Sequence, residues 1–116
     1  MKNLSIPILL LGLSLASAQA ATAPDPAVTA LLTQARDAQI RGEAEKALRM
    51  AQSAIVADPA HTASYVALGD IYAQQGQPEF ARSYYDLALE IDPQDAAALK
   101  AIASLGAQTK AAANAP

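Results

Sequence analysis

Apolar positions recur at three- and four-residue spacing along most of the chain, which predicts amphipathic helices. One apolar stripe runs through residues 28–38, and a second follows Gly42, through residues 47–55. Larger apolar side chains keep the same spacing in residues 65–72 and 80–89. Because no apolar–polar alternation is sustained long enough for strands, the pattern predicts an all-α fold.

Capping and helix-breaking residues divide these stripes into separate helices. Asp25 followed by Pro26 is typical of a helix start, since Asp caps free N–H groups and proline fits the first helical position. Gly42 and Gly76 are each expected to end a helix, because glycine adopts the left-handed conformation found at helix C-termini. The predicted helices run from Pro26 to just before Gly42, from Glu43 to Ala57, from Thr62 to Gln75, from Pro78 to just before Asp92, and from Ala96 to about Ala107.

Several residues return after a fixed interval of 34 positions. Asp58 and Asp92, each followed by proline, are one interval apart, and so are Gly42 and Gly76. A period of this length indicates stacked supersecondary units, none of which can bury its apolar face alone. The period therefore predicts one unit over residues 28–61, a second over residues 62–95, a closing helix over residues 96–107 and a frayed tail over residues 108–116.

The start of the chain has the layout of a secretory signal peptide. Lys2 supplies a positive charge, residues 4–15 are almost wholly apolar, and residues 16–20 carry small side chains at cleavage-site spacing. The apolar run is shorter than the roughly 20 residues that a membrane-spanning helix needs. We expect residues 1–20 to be removed on export to a periplasm and residues 21–27 to form a flexible leader. An uncleaved membrane anchor is the alternative.

The amino-acid composition excludes several kinds of catalytic and metal-binding site. The chain has no cysteine and a single histidine, His61, which excludes disulfides, thiolate catalysis and cysteine-based metal sites. The sequence contains no glycine-rich phosphate loop, and a serine nucleophile would depend on His61 alone. We therefore predict a protein that is not an enzyme and that carries no metal or cofactor.

The charge is modestly acidic and unevenly distributed. The net charge is −3, and residues 62–95 carry six acidic side chains against Arg82 alone. Such a chain is a poor candidate for binding nucleic acid, where basic residues supply most of the affinity. If the second unit selects a partner by charge, it favours a basic one. A solvated acidic face is the alternative.

The second unit carries aromatic, small and turn residues at spaced positions along its 34 residues: Tyr65, Leu68, Gly69, Tyr72, Ala81, Tyr85, Ala88 and Pro93. In these residues and in its length it resembles the helix–turn–helix unit of the tetratricopeptide repeat family. Tyrosine replaces the family's usual tryptophan and phenylalanine, and the unit from 28 to 61 keeps fewer of the family's residues. The resemblance implies an α-solenoid of two helical hairpins plus a C-terminal capping helix.

Members of this family usually bind a peptide or a helix on the concave surface lined by the first helix of each unit. The resemblance therefore implies an adaptor or scaffold that binds a protein partner in the cell envelope. One subgroup clamps a peptide carboxylate with Lys and Asn at two positions that are Leu32 and Arg36 here, so that clamp is not expected in its usual form. The partner-binding residues implied are Leu32, Arg36, Gln39, Ile40, Val66, Asp70, Gln74 and Lys100.

Self-association is the alternative function. Alanine at aromatic positions of the first unit predicts thin packing, which would leave Leu31 and Leu48 available to another copy. The chain would then be a structural component of an envelope assembly, such as outer-membrane, pilus, secretion or cytochrome-maturation machinery.

Overall fold

A computed structural model describes residues 23–115, and this part of the chain is an all-α fold of five helices. The predicted signal peptide and residues 21–22 of the predicted leader lie outside the described residues, whereas Pro26 and Ala27, which were assigned to the leader, belong to the first helix. No helix in the described range is long and apolar enough to cross a membrane. The helices are α1 (Pro26–Ile40), α2 (Ala44–Ala57), α3 (Thr62–Gln74), α4 (Pro78–Ile91) and α5 (Ala96–Ala113).

The length of α5 corrects the sequence prediction. The helix continues to Ala113, past the expected end at Ala107, so residues 108–113 are helical rather than frayed. Residues 107–113 are mostly alanine, the best helix former, and contain no proline. The Thr109 hydroxyl also donates a hydrogen bond to the carbonyl of Leu105, 2.9 Å away, within the helix.

Each hairpin turns at a glycine, as predicted. Gly42 and Gly76 have φ angles of +76° and +73°, in the left-handed region where a side chain is unfavourable. The Gly42 N–H donates to the carbonyl of Gln39 at 3.1 Å, and the Glu43 N–H donates to the carbonyl of Ala38 at 2.9 Å. The same two bonds recur one period later, at 3.1 and 3.0 Å. These paired bonds satisfy the carbonyls at the helix end and set the angle of the hairpin.

An aspartate–proline turn joins one hairpin to the next element. The Asp58 carboxylate accepts the N–H of Ala60 at 3.1 Å, and the Asp92 carboxylate accepts the N–H of Gln94 at 3.0 Å. In both places the backbone N–H of the aspartate still bonds to the preceding helix, at 3.0 Å. The 34-residue period is thus a repetition of hydrogen-bonded geometry as well as of residue types.

The core is divided into two clusters that differ in side-chain size. The first lies between α1, α2 and α3, where alanines such as Ala35 and Ala51 bring the backbones close to Leu68 and Ile71. Leu48 packs against this cluster and is partly buried, so it is less available to another copy than expected. The second cluster lies between α3, α4 and α5 and consists of Val66, Ala81, Tyr85, Ala88, Ala98 and Leu105.

Helices α3 and α4 approach each other closely at Gly69. A Cβ atom at Gly69 would lie 2.6 Å from Cδ1 and 2.9 Å from Cζ of Tyr85, and closer still to Cε1. The Tyr85 ring is itself buried, with 2% of its surface exposed. Glycine at this position is therefore required by the ring packed against it.

Stacked aromatic rings extend this contact towards the turn. The Tyr72 ring stacks on Tyr84 with centroids 5.4 Å apart and on Phe80 with centroids 5.5 Å apart. Burial, together with the neighbouring Tyr72, raises the pKa of the Tyr84 hydroxyl. Phe80 remains 58% exposed, so it covers the edge of the stack rather than filling the core.

The buried hydroxyl of Ser64 is expected to lower the stability of the fold. Ser64 is fully buried in α3, and its hydroxyl has no hydrogen-bond partner within the described residues. Because a buried hydroxyl without a partner is destabilising, Ser64→Ala should raise the free energy of unfolding by about 1 kcal/mol. Denaturant unfolding of the purified chain measures this change.

Ser83→Ala is the matched control. Ser83 is exposed on α4, and its hydroxyl donates to the carbonyl of Glu79 at 3.0 Å. We expect its effect to stay within about 0.5 kcal/mol, as is usual for surface substitutions. A clear loss of stability in Ser64→Ala, with Ser83→Ala unchanged, would contradict the assignment of an unsatisfied hydroxyl.

Candidate partner-binding groove

The first helices of the successive units, α1, α3 and α5, form one continuous surface, because α3 contacts both α1 and α5. A depression of about 570 Å³ lies between α1 and α3, and another of about 670 Å³ lies between α3 and α5. The residues that line both depressions are Arg36, Gln39, Val66, Asp70, Gln74 and Ala97. The two depressions are therefore two halves of a single groove that crosses three helices.

One aspartate links the start of α5 to the start of α3. Asp95 caps α5, since one carboxylate oxygen accepts the N–H of Ala98 at 2.9 Å. Its other oxygen accepts the hydroxyl of Thr62, at the start of α3, at 2.6 Å. The starts of α3 and α5 are thereby held side by side, and this hydrogen bond fixes one end of the groove.

The structure brings all the predicted partner-binding residues to the groove. Ile40 stands at its rim and is 76% exposed, whereas Val66 is 9% exposed. Val66 packs into the second core cluster and forms part of the floor of the groove. Their binding role stays a prediction. The groove-lining residues from the sequence are Leu32, Arg36, Gln39, Ile40, Val66, Asp70, Gln74 and Lys100.

The residues of α3 and α4 match the sequence model of a known family. The sequence model of the tetratricopeptide repeat matches residues 62–95. This chain carries a tetratricopeptide repeat. The repeat runs from the start of α3 to the loop before α5, the boundaries expected from the 34-residue period.

A curated relative shares part of this sequence. Over 83 residues the chain is 35% identical to the transcription factor tau 131 kDa subunit of Saccharomyces cerevisiae. The shared stretch covers 72% of this chain but 8% of the yeast protein. The likeness therefore concerns a small segment of a much longer protein.

A hydrogen bond from the core of the tetratricopeptide repeat reaches the groove. The Tyr85 hydroxyl donates to Oδ1 of Asp70 at 2.7 Å, although the Tyr85 ring is buried beneath α3. The periodicity identifies Tyr85 as a packing residue and gives no sign of this bond, because the two residues lie on different helices. Asp70 is consequently held in one position at the middle of the groove.

Partial burial also changes the acidity of this pair. Desolvation raises the pKa of the Asp70 carboxyl above its ordinary value of 3.8, and the Tyr85 hydrogen bond and the positive charge of Arg36 oppose that rise without cancelling it. Burial, reinforced by the Asp70 carboxylate, raises the pKa of Tyr85 far above its usual range. Asp70 is thus a carboxylate that a cationic partner would stabilise further.

Arg36 and Lys100 take part in none of the ion pairs found within residues 23–115. The described part of the chain also contains no cluster of three or more side chains suited to a metal ion. The ion pairs within that part lie outside the groove and join Lys46 to Glu43, Arg49 to Glu45 and Arg82 to Asp86.

The burial of Asp70 and its hydrogen bond with Tyr85 lead to a prediction for the pKa of the Asp70 carboxyl. Asp70 should titrate above 3.8, and Tyr85→Phe should raise its pKa further, because that variant removes the bond that favours the carboxylate. Since folded Asp70 keeps its proton to a higher pH than unfolded Asp70, its contribution to the unfolding free energy falls as pH rises from 3.8 towards the folded pKa.

Carboxyl-carbon NMR titration of Asp70, in the unchanged chain and in Tyr85→Phe, measures both effects. Backbone spectra of the variant control for loss of the fold. A pKa at or below 3.8 in the unchanged chain would show that the carboxylate is not desolvated as the packing implies. A lower pKa in the variant would show that the Tyr85 bond does not favour the carboxylate.

Proposed function

We propose that this chain is a non-catalytic, exported adaptor that binds a peptide segment of a protein partner in the groove formed by α1, α3 and α5. The tetratricopeptide repeat supports a role in protein–protein interaction. The observation that carries the location is the continuous groove, which presents the residues implied by the repeat register on three helices.

The groove combines an apolar floor with a few charged positions. Val66 and Ile71 contribute the buried floor, and Arg36, Asp70 and Lys100 stand along its length. An apolar floor provides affinity by removing surface from water, while separated charges fix the register of an extended segment. This arrangement is suited to binding and supplies no paired acid and base for chemistry.

Export rests on the sequence of residues 1–20, which lie outside the described residues. Their charge, apolar run and small residues before the leader have the layout of a signal peptide. The partner should accordingly be a protein of the cell envelope. Recovery of the chain from the cytoplasm alone, with residues 1–20 still attached, would contradict this part of the proposal.

A photo-crosslinking residue tests the groove directly. Placed at Gln74, in the middle of the groove, it should give a specific adduct in the envelope fraction. Placed at Ser83, exposed on the far helix α4, it should give little or none, because Ser83 is not among the residues that line the groove. Equal adducts at both positions, or an adduct at Ser83 alone, would place the partner on another surface.

Charge reversal in the same groove gives the second arm of the test. Arg36→Glu and Asp70→Lys should weaken the Gln74 adduct by roughly tenfold, since each puts a like charge where the partner has an opposite one. Circular dichroism must show an unchanged fold. An adduct that survives both substitutions would mean that the charges do not contribute to recognition.

A further inference from the structure

The two halves of the groove are lined by different kinds of side chain. The residues that line only the half between α3 and α5 include Lys100, Ser104 and Gln108, whereas those that line only the half between α1 and α3 are all apolar. Asp70 and Arg36 line both halves. The groove is therefore asymmetric: an apolar half, a charged border and a polar half follow one another across the helices. The residues of the apolar half are Leu32, Ala35, Ile40, Ala63, Ala67 and Ile71.

The apolar half is suited to a bulky apolar side chain of a partner. Ile71 is buried at its base, and Ile40 is exposed at its rim. The three alanines of this half are small and leave space beside the larger side chains. A leucine or an aromatic side chain in this half would remove its own surface and that of Ile40 from water, and this favours binding.

Asp70 offers a fixed carboxylate at the charged border. Its Oδ1 accepts the Tyr85 hydroxyl at 2.7 Å, whereas its Oδ2 accepts no hydrogen bond from residues 23–115. Desolvation raises the pKa of Asp70, and the nearby charge of Arg36 opposes that rise without forming an ion pair. Because the carboxylate is already held in place, a basic side chain of a partner would bind it with little further ordering.

The other charges of the groove are positive. Arg36 borders both halves, and Lys100 lines the half between α3 and α5. Neither side chain takes part in an ion pair within residues 23–115. A partner with basic side chains alone would be repelled by these two cations, so an acidic side chain on the α5 side is favoured as well.

We propose that the groove selects an extended segment that presents an apolar, a basic and an acidic side chain, in this order, at alternate positions. The apolar side chain enters the half between α1 and α3, the basic one pairs with Asp70, and the acidic one pairs with Lys100. Side chains two apart in an extended segment share one face, and five residues span about 13 Å. That length crosses α3, since packed helices lie about 8–10 Å apart. This inference rests on the proposed groove function and adds the chemistry of the partner.

Synthetic peptides of identical composition test the order of the three side chains. The matched peptide carries leucine, arginine and glutamate at alternate positions of an alanine–serine background. The permuted peptide carries arginine, leucine and glutamate at the same positions. Fluorescence anisotropy with the purified chain should give a Kd about tenfold higher for the permuted peptide, because it places leucine against Asp70 and arginine in the apolar half.

Charge exchange between the chain and the peptide identifies the pairs. Asp70→Lys should raise the Kd of the matched peptide about tenfold, and glutamate in place of the peptide's arginine should restore binding. Lys100→Glu, with arginine in place of the peptide's glutamate, makes the same test without removing the acceptor of the Tyr85 bond. Glu90→Lys is the control, since Glu90 is exposed on α4 and does not line the groove. It should change the Kd by less than about twofold at physiological salt.

The crosslinker at Gln74 separates this test from that of the proposed function, because its adduct does not require any particular partner sequence. Equal binding of the matched and permuted peptides, no binding of either, or no restoration by charge exchange would overturn the inference. If the Gln74 adduct still forms in that case, the groove function stands and only the proposed order of side chains is rejected. Loss of the Gln74 adduct would instead reject the groove function.

Discussion

The close approach of α3 and α4 at Gly69 is the constraint on which the rest of this structure depends. The Tyr85 ring occupies the space that a side chain at residue 69 would need, and it fills the second core cluster from below α3. The hydroxyl of the same tyrosine then reaches the Asp70 carboxylate in the groove. One residue therefore links the packing of the tetratricopeptide repeat to the charge at the centre of the candidate site, so the core and the groove cannot be altered independently.

The two hairpins have the same turn geometry but bury side chains of different size. The first cluster is built largely from alanines, and the second contains Tyr85 and Leu105. Because apolar stabilisation scales with the area removed from water, the alanine-rich hairpin has the smaller share of it. Regions with fewer buried apolar contacts open at lower free energy, so the first hairpin is expected to open more readily than the second.

Most of the fold could be predicted from the sequence because glycine, proline and aspartate mark nearly every helix boundary. Gly42, Gly76 and the aspartate–proline turns all act as expected. The end of α5 could not be predicted, since its alanine-rich tail carries no residue that marks the end of a helix. The Asp70–Tyr85 bond could not be predicted either, because it depends on the way α3 and α4 cross, which a single helical period does not specify.

The most direct measurement of the central claim compares two glycines in similar helical settings. Gly69→Ala should lower the free energy of unfolding by about 1–3 kcal/mol, because the added methyl group meets the buried ring of Tyr85. Gly106→Ala on α5 meets nothing within 4 Å and should leave stability unchanged or raise it by up to about 1 kcal/mol. Equal effects of the two substitutions, measured by denaturant unfolding, would contradict the account, because the contact at Gly69 would then not hold the repeat together.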